Sequence, residues 1–173
     1  MKISILGHSG SGKSTLAKKL AAHYNIPVLH LDTVQFLPNW VERPLDEKTQ
    51  IVQNYLDTHD QWVIEGNYSK LHQARRLHES DLIIVMLFNR WDSLKRVTKR
   101  YFQYRGSTRS DMTQGCNEKL DLEFIKWVLI YGRSKEKLDK FNRIIEENRG
   151  KVVVLRKQED IDRFLDGLDR GNV

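Results

Sequence analysis

Residues 7–15 read Gly7-His8-Ser9-Gly10-Ser11-Gly12-Lys13-Ser14-Thr15, and this stretch decides the fold. It satisfies the spacing G-x-x-x-x-G-K-[ST]. Glycines at these places let the backbone curl so that successive N–H groups point inward and cradle an anion. Residues 2–6, before it, are a short apolar run. Residues 13–23, after it, carry Leu16, Leu20 and Ala21 at helical spacing. Strand, glycine turn and helix are the context the chemistry needs, because the positive end of the helix dipole aims at the same anion. A glycine-rich turn that merely contains a lysine is the alternative, and both flanks argue against it. In this pattern Lys13 reaches the β- and γ-phosphate oxygens of ATP and the Ser14 hydroxyl ligates Mg²⁺. The backbone from Gly7 through His8, Ser9, Gly10, Ser11 and Gly12 to Thr15 supplies the remaining nucleotide contacts. The loop is silent on the reaction, because switches, motors and kinases share it.

Outward from the loop, strand and helix patterns alternate to the end of the chain. Residues 28–31 read as a second strand. Residues 46–58 read as a helix with Asp46 as N-cap and Ile51, Val52, Tyr55 and Leu56 on one face. Residues 62–65 form a third strand. Residues 82–88 are nearly continuous in apolar side chains, as expected of a parallel strand covered on both faces. Asp92 opens a helix whose inward face is Leu94, Val97 and Tyr101. A Gly-, Ser-, Thr- and Arg-rich loop covers 103–119, and one long helix is expected over 121–148, closed by Gly150. Residues 152–155 make the fifth strand, and Ile161, Phe164, Leu165 and Leu168 mark the last helix. Five apolar strands alternating with helices imply a parallel, doubly wound α/β sheet. No repeat or linker divides the chain, so 1–173 reads as a single domain.

Bulk properties exclude several classes. Cys116 is the only cysteine, which rules out an internal disulfide or a multi-cysteine zinc site. The histidines at 8, 23, 30, 59, 72 and 78 show no metal-ligand spacing. The longest apolar runs are too short to span a bilayer, and a strand opening straight into the loop leaves no signal peptide. A reducing cytoplasm is expected. The net charge of +6 fits either a nucleic-acid surface or a cleft that handles polyphosphates.

Three further segments carry a family likeness: Leu31-Asp32-Thr33-Val34-Gln35-Phe36, Trp62-Val63-Ile64-Glu65-Gly66-Asn67-Tyr68 and Gly115-Cys116-Asn117-Glu118-Lys119. With the loop, they resemble the nucleoside-monophosphate-kinase branch of P-loop NTPases, and within it the DNA topology modulation (FlaR-related) proteins. The resemblance implies a five-stranded sheet of order 2-3-1-4-5, an acceptor region over about 32–60 and an arginine-rich lid over about 101–120. It places Asp32 beside the acceptor and Glu65, in place of an aspartate, behind the Mg²⁺-bound waters. Arg96 and Arg100 share one helical face and match the arginine pair at which the lid of adenylate kinases begins. Arg105, Arg109 and Arg133 are further candidates for the nucleotide phosphates, since planar guanidinium groups meet spread phosphoryl charge bidentately.

Two departures stand out. Adenylate kinases carry arginines where this chain has Gln35 and Ser69, and both hold the acceptor phosphate. Arg43, Lys70, Arg75 and Arg76 are the cations near enough in sequence to substitute. Phe36, Trp40, Trp62 and Tyr68 flank the acceptor region and could stack a base. The expected activity is ATP–Mg²⁺-dependent phosphoryl transfer to a nucleotide or small-molecule acceptor. The alternatives are a nucleotide-dependent DNA-binding protein, for which no DNA-reading motif is found, and a chain that binds ATP without efficient transfer.

Overall fold

The computed structural model describes residues 1–170; the last three positions of the expected domain, 171–173, lie outside the described residues. Strand β1 (Lys2–Gly7) is buried from Ile3 to its end and runs through the glycine loop into α1 (Lys13–Tyr24). Helix α1 stops at Asn25, whose left-handed backbone (φ 52°) lets its N–H return to the Ala21 and Ala22 carbonyls. There follow β2 (Val28–His30), a short α2 (Leu31–Gln35), and a two-residue hairpin, β3 (Phe36–Leu37) with β4 (Val41–Glu42). Then come α3 (Leu45–Thr58), β5 (Trp62–Glu65), α4 (Gln73–Glu79), β6 (Leu82–Met86) and α5 (Arg90–Tyr104). The chain closes with α6 (Leu122–Leu129), a 3₁₀ turn (Tyr131–Arg133), α7 (Lys135–Glu147), β7 (Val152–Leu155) and α8 (Gln158–Asp169).

The main sheet is parallel throughout, in the order β2-β5-β1-β6-β7. Counting only its own five strands along the chain, that order is 2-3-1-4-5; the unforeseen hairpin β3–β4 shifts the running numbers. One face carries Ile3, Ile5, Val63, Ile84 and Met86 against α1 and α8. On the other, Trp62 and Ile64 meet α2 and α3, while Leu6, Ile83 and Val85 meet α7. Both faces are covered, which is why the strands read as continuous apolar runs. Trp62 is fully buried in this core and so is no wall of an acceptor site. Among the described residues no helix is long and apolar enough to cross a membrane.

Several local expectations change. Helix α3 begins at Leu45 behind Pro44, leaving Asp46 in its first turn instead of at the cap, and Ile51 points to solvent. Asn89, not Asp92, caps α5, its side chain accepting from the Trp91 and Asp92 N–H groups at 2.9 Å. Its buried line is Ser93 and Val97, with Leu94 and Tyr101 only half-buried. The helix expected over 121–148 is broken at Ile130, and α7 ends at Asn148 without using Gly150. The break has a cause: Arg133 turns inward to donate to the carbonyls of Val128 (2.9 Å) and Phe88 (2.7 Å) and to Ser93 Oγ (2.8 Å).

Candidate functional site

The glycine loop is fixed by its surroundings at least as firmly as by its own turns. Gly7 has φ 140° and presses on the Met86 carbonyl, so no side chain fits there. Gly10 has φ 77°, and a methyl on it would sit 2.6 Å from the Ser93 carbonyl and 2.7 Å from Val97 Cγ1. Asn67, just after β5, grips the start of the loop with two bonds, accepting from Gly7 N–H at 2.9 Å and donating to the Gly7 carbonyl at 2.7 Å. Trp127 of α6 donates to Ser9 Oγ at the loop's tip at 3.2 Å.

His8 is buried beneath the loop, with Nδ1 3.0 Å from the Phe88 carbonyl and 2.8 Å from Arg133 Nη1. Burial lowers its pKa to about 4; the Phe88 carbonyl resists this, and the charges of Arg133 and Lys13 add to it. His8 is therefore neutral at physiological pH. Arg133 buttresses the loop from behind and does not line the cleft. This differs from the nucleotide contact expected of it.

In front of the loop, the catalytic candidates come together. Lys13 Nζ donates to the His8 carbonyl at 3.0 Å, and Ser14 Oγ donates to Glu65 Oε1 at 3.0 Å. Glu65 ends β5 and also meets His30 Nδ1 at 3.0 Å. Burial alone would raise the Glu65 pKa, but the His30 hydrogen bond and the Lys13 charge hold it below the ordinary value. Asp32 behaves oppositely: burial and the Glu65 charge raise it, against a 2.6 Å hydrogen bond from Tyr68 Oη. Two neighbouring carboxylates are thus pushed apart, one kept charged and one held more basic, as expected when like charges share a site. Burial lowers the Lys13 pKa in turn, opposed by Glu65 and Asp32 and assisted by Arg100 and Arg109. Ser14 and charged Glu65 form an oxygen pair of the kind a hard divalent cation takes.

Lys13, Asp32, Glu65, Arg96, Arg100 and Arg109 all line one cleft of about 1640 Å³. Arg96 lies over the Phe88 ring (4.6 Å to the centroid) and donates to Gln158 Oε1 at 2.5 Å, its Nη1 near the Gly12 backbone. Arg105 is exposed and outside the cleft wall. Of the substitute cations, only Lys70 lines the cleft. Arg43 is spent on the Val34 carbonyl and Glu47, Arg75 on Asp57 and Glu79. Arg76 is buried and donates to the Leu71 and Tyr68 carbonyls. Phe36, Trp40 and Tyr68 do line the cleft, together with Gln35 and a buried Lys48 paired with Glu42 at 2.5 Å.

The segment 105–121 is folded onto α1 and the β3–β4 hairpin. Lys18 of α1 meets Asp111 and Ser110, each at 2.8 Å. Thr113 Oγ1 donates to the Phe36 carbonyl at 2.6 Å, and Trp40 Nε1 to the Asn117 carbonyl at 3.1 Å. Sequence reasoning missed Lys18, Lys48, Asn67, Asp111, Glu118 and Gln158. Lys48 lies in the expected acceptor region, Asp111 and Glu118 in the expected lid and Asn67 in a quoted segment, but none had an assigned role.

No protein-family model and no curated protein matches the chain. Solved structures do. One, an uncharacterized protein from Eubacterium ventriosum, is 18% identical with a TM-score of 0.51, over 99% of this chain and 97% of that one. Another, shikimate kinase from Bacteroides thetaiotaomicron, is 14% identical with a TM-score of 0.52, over 98% and 96%. At such identity the likeness concerns the fold alone, an α/β fold shared over nearly the whole length of this chain.

Proposed function

We propose that this chain is an ATP–Mg²⁺-dependent phosphotransferase whose acceptor is a small molecule or nucleotide seated beside Asp32. One observation carries the reading. The loop lysine, a carboxylate kept charged, a carboxylate held more basic and two lid arginines line a single cleft of about 1640 Å³. A pocket for one drug-sized ligand spans about 300–1,000 Å³, so this cleft has room for two substrates.

In this reading the N–H groups of residues 9–14 and the Lys13 ammonium bind the triphosphate, and Ser14 and Glu65 hold Mg²⁺, which supplies charge neutralisation. Arg96 steadies the nucleotide end of the cleft, next to Gln158. Arg100 and Arg109 face the charge that spreads over the transferred group. Asp32, oriented by Tyr68, positions the acceptor and takes its proton where the acceptor is an alcohol. The rest is positioning and electrostatics. Gln35 and Ser69 leave an ordinary nucleoside monophosphate without its arginines, and Phe36 and Trp40 give the acceptor arm apolar walls. A lone, buried Cys116 suits a reducing cytoplasm. Direct DNA binding is less favoured, because the sequence carries no DNA-reading motif.

The test is γ-phosphoryl transfer from labelled ATP across nucleosides, nucleotides and small alcohols, with Lys13→Met as control. Transfer to one acceptor class, reduced at least about 10³-fold in the variant, is the expected result. ATP binding without transfer to any acceptor would overturn it.

A further inference from the structure

One buried carboxylate in the lid serves two arginines. Glu118 Oε1 accepts from Arg100 Nε at 2.8 Å and from its Nη2 at 2.5 Å, while Glu118 Oε2 lies 2.8 Å from Arg109 Nε. The Glu118 side chain is 5% exposed. Arg109 is held at a second point, Nη1 to Asp111 Oδ2 at 2.6 Å, and Asp111 is itself tied to α1 through Lys18. The backbone of Glu118 is pinned as well, its N–H donating to the Ser107 carbonyl at 3.3 Å.

Arg109 is close enough to disfavour the charge of Arg100, and both disfavour that of Lys13, which burial already disfavours. Three cations on one cleft wall repel, and a carboxylate between two of them offsets that repulsion. It also leaves Arg100 Nη1 and Arg109 Nη2 without a carboxylate partner among the described residues, and both residues line the cleft.

We propose that Glu118 is a positioning residue: it holds Arg100 and Arg109 side by side as a clamp for the transferred phosphoryl group, assembled by the lid's own ion pairs before nucleotide binds. This rests on the phosphotransferase reading for its catalytic consequence, but the pre-assembled clamp does not. Glu118 touches no substrate; it acts through the two arginines. Its effect belongs in kcat, because spread equatorial charge develops in the transition state and ground-state contacts to the loop and Lys13 survive its loss.

The experiment compares wild type with Glu118→Gln, which keeps the shape and removes the charge, and Glu118→Asp, which keeps the charge one methylene short. Two readouts are taken on the full chain: kcat and KM for ATP, and the rate of tryptic cleavage after the exposed Arg105 without nucleotide. For Glu118→Gln we expect kcat to fall about 10²-fold, less than outright loss of a transition-state arginine, with KM for ATP changed under about fivefold. Glu118→Asp should recover at least about a tenth of the wild-type rate. Cleavage at Arg105 should speed up at least about tenfold in Glu118→Gln as the lid loosens. Wild-type kinetics and wild-type cleavage in Glu118→Gln would overturn the proposal. So would equal losses in both acidic and neutral variants alongside a lowered melting temperature, the mark of a mere strut. If wild type transfers to no acceptor while Glu118→Gln is cleaved faster, the phosphotransferase reading falls and the pre-assembled clamp stands.

Discussion

The phosphate loop and the lid face each other across one cleft, yet they are built by different physics. The loop is defined by backbone sterics: Gly7 and Gly10 are pressed against the Met86 and Ser93 carbonyls, and Asn67 bonds both backbone groups of Gly7. Its shape follows from residues that no other side chain can replace. The lid is far less crowded: of its left-handed glycines, a side chain on Gly106 (φ 75°) would meet nothing within 4 Å, and one on Gly115 (φ 85°) would come no nearer than 3.3 Å to Pro38. It is held by charges, with Arg100, Arg109, Glu118, Asp111 and Lys18 linked in one chain of ion pairs, and by hydroxyl and indole bonds to the β3–β4 hairpin. A loop set by sterics should fail through stability. A lid set by charge should fail through rate.

On the lid side the expected effect is the hundredfold loss of kcat in Glu118→Gln with little loss of folding. On the loop side, Gly10→Ala should cost about 3 kcal/mol of stability, from the left-handed backbone and from forced overpacking against Ser93 and Val97. Chemical denaturation reads that loss directly, and an unchanged midpoint would mean the loop tolerates a side chain and the contrast is wrong.

A further effect is pH-dependent and also belongs to the loop. The folded-state pKa of His8 is depressed to about 4 from an ordinary 6.5. Above pH 6.5 both folded and unfolded chains are neutral here and the contribution to stability is complete. Between pH 6.5 and 4 the unfolded chain takes up the proton first, so stability falls, by up to about 3 kcal/mol at 1.36 kcal/mol per unit. Unfolding curves at pH 7 and 4.5 should show that loss in wild type and a flatter dependence in His8→Asn.

The same division decides what could be read from the sequence. Lys13, Ser14 and the glycines were legible because a local pattern carries their chemistry. Asp32 and Glu65 were legible because parallel strands deliver their C-terminal ends to one edge, the usual place for ligands in open α/β sheets. The five sheet strands were legible because burial on both faces leaves long apolar runs. What could not be read was set by pairing across the chain. Glu118 and Arg100 lie on different elements, and Lys18 and Asp111 lie in different thirds of the chain. Arg133 carries no local mark that it would turn inward, break a helix and brace His8 instead of meeting phosphate. Arg43, Arg75 and Arg76 were plausible acceptor ligands only until their carboxylate and carbonyl partners came into view. The β3–β4 hairpin was too short to leave a periodicity.

The central claim is that one cleft holds both a triphosphate and an acceptor beside Asp32. It is tested most directly by measuring ADP formation with and without acceptor in wild type and in Asp32→Asn. We predict acceptor-dependent ADP formation in wild type, and in the variant a loss of that dependence by at least about 10²-fold, the usual scale for a positioned acid–base group, with ATP affinity retained. ADP formation that is identical with and without every acceptor, and unchanged in Asp32→Asn, would contradict it.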